Sequence, residues 1–156
     1  MCVKAYFLIP LLIGTDMWSK QAVVAYFKTH PFFDVTPFLT MTLTWNKGMS
    51  FGLFNNTSTW FPTLMLYVVP MIVGGLFIWM VRTSETAIKY ALALIISGAI
   101  GNFIDRWLYG AVVDFIDVHW YDYHWYTFNL ADSYITIGAT IVIINDFVLQ
   151  RKVGCK

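Results

Sequence analysis

Residues 60–81 run for 22 positions without one charged side chain. At a rise of about 1.5 Å per residue such a helix is long enough to cross the roughly 30 Å hydrocarbon core of a bilayer. Three further apolar segments accompany it. Residues 5–27 are interrupted by Asp16 and Lys20, residues 90–108 carry Asn102, Asp105 and Arg106 near their end, and residues 127–149 carry Asp132 and Asp146. The chain is 58% hydrophobic and 12% charged, whereas a soluble domain carries roughly 25% charge. A chain of this composition cannot cover a water-facing surface. The pattern predicts an all-α membrane protein with four transmembrane helices, folded as a single domain over residues 1–156. The alternative for residues 5–27, a cleavable signal peptide, is disfavoured because no A-x-A site follows the apolar run.

Basic residues set the orientation. Lys4, Arg82, Lys89, Arg151, Lys152 and Lys156 fall on one side, against Lys28 and Lys47 in the opposite loops and Arg106 at a helix end. The richer side is expected to be cytoplasmic, with both termini inside and the loops of about 28–59 and 109–126 outside. In the first outer loop Leu39, Met41 and Leu43 alternate with Thr40, Thr42 and Thr44, followed by a turn at Asn46, Lys47 and Gly48 and a further stretch, 49–54. A small extracytoplasmic β-sheet is expected there. The second outer loop, dense in Trp, Tyr and His, suits an interfacial belt. A net charge of +1 argues against a nucleic-acid partner. Cys2 and Cys155 stand at opposite ends without metal or disulfide spacing.

Five of the nine acidic residues lie between Gly98 and Asp132, and two of them, Asp114 and Asp132, each follow a short apolar run. Carboxylates at the edge of lipid are costly and generally have a partner or a task. Helical rise places Asp16, Lys20, Asn102, Arg106 and Asp132 about 18–28 Å above the cytoplasmic ends of three different segments, in the outer half of the membrane. That convergence marks a candidate site, with Asp114 and Asp132 facing each other as an acid–base pair. Plainer roles remain open. Asp16 and Lys20, four apart, can neutralise one another. Asn129 and Asp132 can be an N-cap and a first-turn carboxylate. Asn102 and Arg106 can anchor a helix end. Ser97 and Gly101 fit a small-residue packing pattern. His119, Asp122 and His124 lack recognised metal spacing, so no metal or cofactor is expected. Two functions of other classes compete: a proton or ion path through the buried charges, and a non-enzymatic membrane scaffold.

Five motifs now bear on the choice. Asp16-Met-Trp-Ser-Lys20, Asn46-Lys-Gly-Met-Ser-Phe-Gly52, Gly98-Ala-Ile-Gly-Asn-Phe-Ile-Asp-Arg106, Val112-Val-Asp-Phe115 and Phe128-Asn-Leu-Ala-Asp132 resemble, in order, those of the lipoprotein signal peptidases (signal peptidase II). The resemblance implies a bacterial inner-membrane aspartic endopeptidase with four transmembrane helices. It implies cleavage of prolipoproteins before a diacylglyceryl-modified cysteine, with such substrates and membrane lipids as partners, in a monomer whose active site lies near the outer leaflet. It further implies that Asp114 and Asp132 are catalytic, that Asn46, Gly48, Asn102, Arg106 and Asn129 line the site, and that Asp16 and Lys20 support it. Met17 stands where relatives often have Gln, which puts one local polar contact in doubt. Two carboxylates sharing a site share one proton, and the helix dipole favours Asp132 as the charged member.

Overall fold

The computed structural model describes residues 4–47 and 60–154. Gly48 and the stretch 49–54 lie outside the described residues, as do both cysteines. Four helices dominate: α1 (Lys4–Tyr26), α2 (Trp60–Arg82), α3 (Thr86–Tyr109) and α4 (Leu130–Gly154). Between α1 and α2 lie strands β1 (Phe33–Thr36) and β2 (Leu39–Asn46). Between α3 and α4 lie β3 (Val112–Trp120) and β4 (Tyr123–His124).

Helix α3 is the hub. It packs against each of the other three helices, most extensively along α4. Its buried face changes character part-way along. The half beginning at Ile88 joins Leu92, Ala93 and Ile96 to Ala5 and Met80 in an apolar core. From Ser97 onward the same face buries Gly98, Gly101, Asn102 and Asp105. Positions 98, 101, 102 and 105 follow the i, i+3, i+4, i+7 spacing of one helical stripe, so one face continues from apolar core into polar site. The α3–α4 packing is close because glycines permit it. A Cβ on Gly98 would overlap the Ala131 carbonyl oxygen, and one on Gly138 would lie 2.6 Å from the Ala91 carbonyl oxygen. Ser97 and Gly101, the pair read from sequence, lie against α1 instead: Ser97 Oγ donates to the Ile9 carbonyl oxygen at 3.4 Å, and a Cβ on Gly101 would lie 2.5 Å from Asp16 Oδ2.

Among the described residues, three segments are long and apolar enough to cross a membrane, Thr63–Arg82, Thr86–Tyr109 and Leu130–Phe147. The outward faces of α2 and α4 are apolar, with Tyr67, Met71, Ile72, Ile143 and Ile144 exposed, as expected of helices whose solvent is lipid. Helix α1 matches them in length but carries Lys4, Asp16 and Lys20.

The sheet is antiparallel, in the order β1-β2-β3-β4. It corrects the reading of residues 109–126 as a loop: the partner of β2 is β3. Gly110 makes the connection. It ends α3 in the left-handed region at φ 68°, with its N–H bonded to the Arg106 carbonyl oxygen, a conformation that glycine adopts without steric cost. The chain then enters β3 two residues before Asp114. The β2–β3 register slips by one residue, from Met41 opposite Ile116 to Thr44 opposite Asp114. This β-bulge decides what faces Asp114. In an unbroken ladder Leu43 would stand opposite Asp114 and Trp45 would share its face. The extra residue turns Thr44 and Asn46 to that face instead.

Candidate active site

Asp114 reaches the site from β3 and is only 2% exposed. Both of its oxygens accept side-chain amides. Asn129 Nδ2 donates to Oδ1 at 2.7 Å, and Asn46 Nδ2 donates to Oδ2 at 2.9 Å. Burial pushes the Asp114 carboxyl up to about 6, and the charge of Asp132 adds to the rise, against the opposing pull of the Asn46 and Asn129 amides.

Asp132 comes from the first turn of α4 and is half-buried. Asn102 Nδ2 donates to its Oδ1 at 2.7 Å. Its other oxygen accepts the Asn129 N–H at 3.4 Å, while Asn129 Oδ1 accepts the Asp132 N–H at 3.0 Å. This is a reciprocal capping box with Asn129 at N-cap and Asp132 at N3. The helix-cap role and the site role therefore coincide in the same two residues. The Asn129 amide is the hinge of the network, since Nδ2 also lies 3.1 Å from Asn102 Oδ1 and 3.3 Å from the Val113 carbonyl oxygen.

Behind this layer sits a buried ion cluster. Lys20 Nζ lies 2.8 Å from Asp16 Oδ2 and 2.9 Å from Asp105 Oδ2, and donates to Asn102 Oδ1 at 3.0 Å. The Asp16–Lys20 neutralisation read from the sequence is present, and it extends to a third charge. Each carboxylate also fixes backbone. Asp16 Oδ1 accepts the Ala131 N–H at 2.9 Å, so α1 caps the start of α4. Asp105 Oδ2 accepts the Val113 N–H at 3.1 Å, so α3 holds β3 beside Asp114. Asp105 was not among the site residues expected from sequence. The signal that finds it is its place on the stripe of Gly98, Gly101 and Asn102.

Asp114, Asp132, Arg106 and Asn46 line one open cavity of about 1220 Å³, with Lys47, Trp45 and Trp125 among its walls. Arg106 Nη1 donates to the Asn102 carbonyl oxygen at 3.1 Å, one turn back on α3. The structure thus gathers Asn46, Arg106, Asp114 and Asp132 at the cavity, buries Asn102 and Asn129 beneath it in hydrogen bonds to the two carboxylates, and puts Asp16 and Lys20 behind them. Gly48 lies outside the described residues. Of His119, Asp122 and His124, which sequence spacing did not mark as a metal set, the two histidines do lie together, and the carboxylate beside them is Asp117.

Comparison with known proteins gives the chain its relatives. A family model for signal peptidase (SPase) II matches residues 8–148. The chain belongs to the signal peptidase II family. It is 35% identical over 152 residues to the lipoprotein signal peptidase of Shewanella loihica, covering 96% of this chain and 89% of that one. It is 41% identical over 118 residues to the lipoprotein signal peptidase of Pelagibacter ubique, covering 76% and 70%. Its fold matches a bacterial membrane enzyme solved by the in meso method at 2.3 Å resolution, with a TM-score of 0.84, 30% identity and coverage of 100% of this chain and 93% of that one. Family membership makes the chain a membrane protease, and the network of carboxylates and amides is to be read in that light.

Proposed function

We propose that this protein removes signal peptides from bacterial prolipoproteins, cutting before the diacylglyceryl-modified cysteine, with Asp114 and Asp132 as an aspartic acid–base pair. The observation that carries the reading is the unlike setting of two carboxylates on one cavity. Asp114 is buried and pushed up to about 6, so it suits the proton-holding role. Asp132 is half-buried in the first turn of a helix, where the dipole favours a negative charge. Ionised Asp132 takes a proton from a water molecule, whose oxygen attacks the scissile carbonyl carbon. Asp114 gives its proton to the carbonyl oxygen as the tetrahedral diol forms. On collapse the diol returns a proton to Asp114, Asp132 passes its own to the leaving amine, and the pair is restored.

In this reading the Asn46, Asn102 and Asn129 amides fix the two carboxylates, and Arg106 offers guanidinium donors to substrate carbonyls. The Asp16–Lys20–Asp105 cluster keeps α1, α3 and β3 in register, and Gly48 takes part in binding the substrate. Helix α1 is the fourth transmembrane span, its two mid-helix charges turned to protein partners rather than lipid. Both termini are cytoplasmic, the protein works as a monomer in the inner membrane, and the cavity opens near the outer leaflet. No metal enters the reaction.

A substrate with an acyl anchor concentrates in that layer, at about 0.8 kcal/mol per buried methylene, and the anchor fixes where the scissile bond lies. The test compares one precursor with and without prior diacylglyceryl transfer, in matched detergent micelles. Cleavage of the modified form alone, before the cysteine, is expected. Equal rates for the two forms would defeat the anchoring step.

A further inference from the structure

We propose that Asp117, His119 and His124 form a binding site for one divalent transition-metal ion of the zinc or copper type, at the β3–β4 hairpin and apart from the cavity of the dyad. In the β3–β4 hairpin His119 pairs directly with His124, and Asp117, two residues back along β3, shares the face of His119. One donor atom from each residue lies within 4.8 Å of the others. Asp117 Oδ2 is 2.9 Å from His124 Nδ1, and the imidazoles stack with centroids 4.8 Å apart. His119 Nδ1 is buried and has no hydrogen-bond partner among the described residues. An orphaned nitrogen of this kind costs free energy that a bound cation would recover.

Two imidazoles and one carboxylate are a zinc donor set that leaves a fourth position open. The same set holds copper more tightly. Metal–ligand bonds of about 2.0–2.2 Å require donors roughly 3.3–3.5 Å apart. The His124 side chain is 56% exposed, so its ring can turn to close that gap. A groove of about 610 Å³ runs past both imidazoles between Phe38 and Trp125 and leaves the fourth position open to water. The site is separate from the dyad. Asp117 lies three residues beyond Asp114, about 10 Å along the strand, and none of Asp117, His119 and His124 lines the cavity of Asp114 and Asp132. Strand β4 is only two residues long, and Tyr121 in its turn has φ 52°. A metal joining β3 to β4 would pin this hairpin.

The test titrates the full-length protein, purified in detergent without a polyhistidine tag, with zinc chloride by calorimetry. One ion per chain is expected. His119→Ala and His124→Ala should each weaken binding by more than about a hundredfold, beyond what outer-shell changes produce. Asp114→Asn with Asp132→Asn should bind as the wild type does. Copper(II) on the wild-type protein supplies a measurement that does not depend on the variants folding. Its electron paramagnetic resonance spectrum should carry hyperfine splitting from two imidazole nitrogens. No zinc binding, zinc binding that the histidine changes leave intact, zinc binding lost with the dyad, or a copper spectrum with fewer than two nitrogens would each overturn the site.

Discussion

Asn129 is where the chemistry of the site and the folding of the chain meet. Its Oδ1 caps α4 while its Nδ2 holds Asp114 and reaches Asn102, so one side chain ties a helix start to both carboxylates. From sequence the cap and the site looked like alternatives, because spacing along the chain does not reveal a partner arriving from β3. Asp114 itself is held at a cost. Its folded value of about 6, against the ordinary 3.8, means that the folded state binds more protons than the unfolded state between about pH 4 and 6. Stability therefore falls as pH rises through that window and levels off above it. The Asp114 contribution is about 3 kcal/mol by the linkage relation. Asp114→Asn removes this slope. Denaturation in detergent from pH 4 to 8 should show wild type losing stability relative to the variant as pH rises. Parallel curves would contradict the burial argument.

At the scale of elements, the four helices were legible as long apolar runs, with ends within five residues of those read from sequence, and three of them contain segments long and apolar enough to cross a membrane. Strand β3 was not. Val112–Trp120 mixes carboxylates, aromatics and a histidine, and it was weighed as an interfacial loop. Its β-branched residues Val112, Val113, Ile116 and Val118 do not alternate regularly with polar ones, so the strand becomes visible only once β2 is seen to need a partner. The bulge between Met41 and Thr44 was equally hidden, since a register slip leaves no mark on either strand alone. Yet it brings Asn46, rather than Trp45, to the face of Asp114. The α3–α4 contact supports a sharper expectation. Gly98→Ala gains about 1 kcal/mol of helix propensity but drives a methyl group into the Ala131 backbone, where overpacking costs about 1–3 kcal/mol. Because Ala131 precedes Asp132, the variant should melt lower and turn over more slowly. A variant that melts higher at full activity would show that the helices can part without consequence.

At the scale of the whole molecule, one design feature joins the helices to the reaction. The central helix changes from apolar core to polar site along a single face, so the apolar packing around Leu92 and Ile96 fixes the helix that carries Asn102 and Asp105. Convergence of polar groups from three helices could be read from helical rise alone. Which groups touch, and that α1 caps α4 through Asp16, could not, because rise gives depth and not rotation. The orientation proposed from the basic residues predicts that a reporter enzyme fused after Lys156 stays on the cytoplasmic side, and a reporter active outside the inner membrane would reverse it. The central claim is that Asp114 and Asp132 together perform the cleavage. The most direct test is single-turnover cleavage of a diacylglyceryl-modified precursor by wild type, Asp114→Asn and Asp132→Asn, each shown to be folded by its melting curve. Each variant is expected to lose at least about a hundredfold in rate, since general acid–base groups contribute about 10²–10⁴-fold apiece. Near-normal cleavage by either folded variant would contradict the dyad.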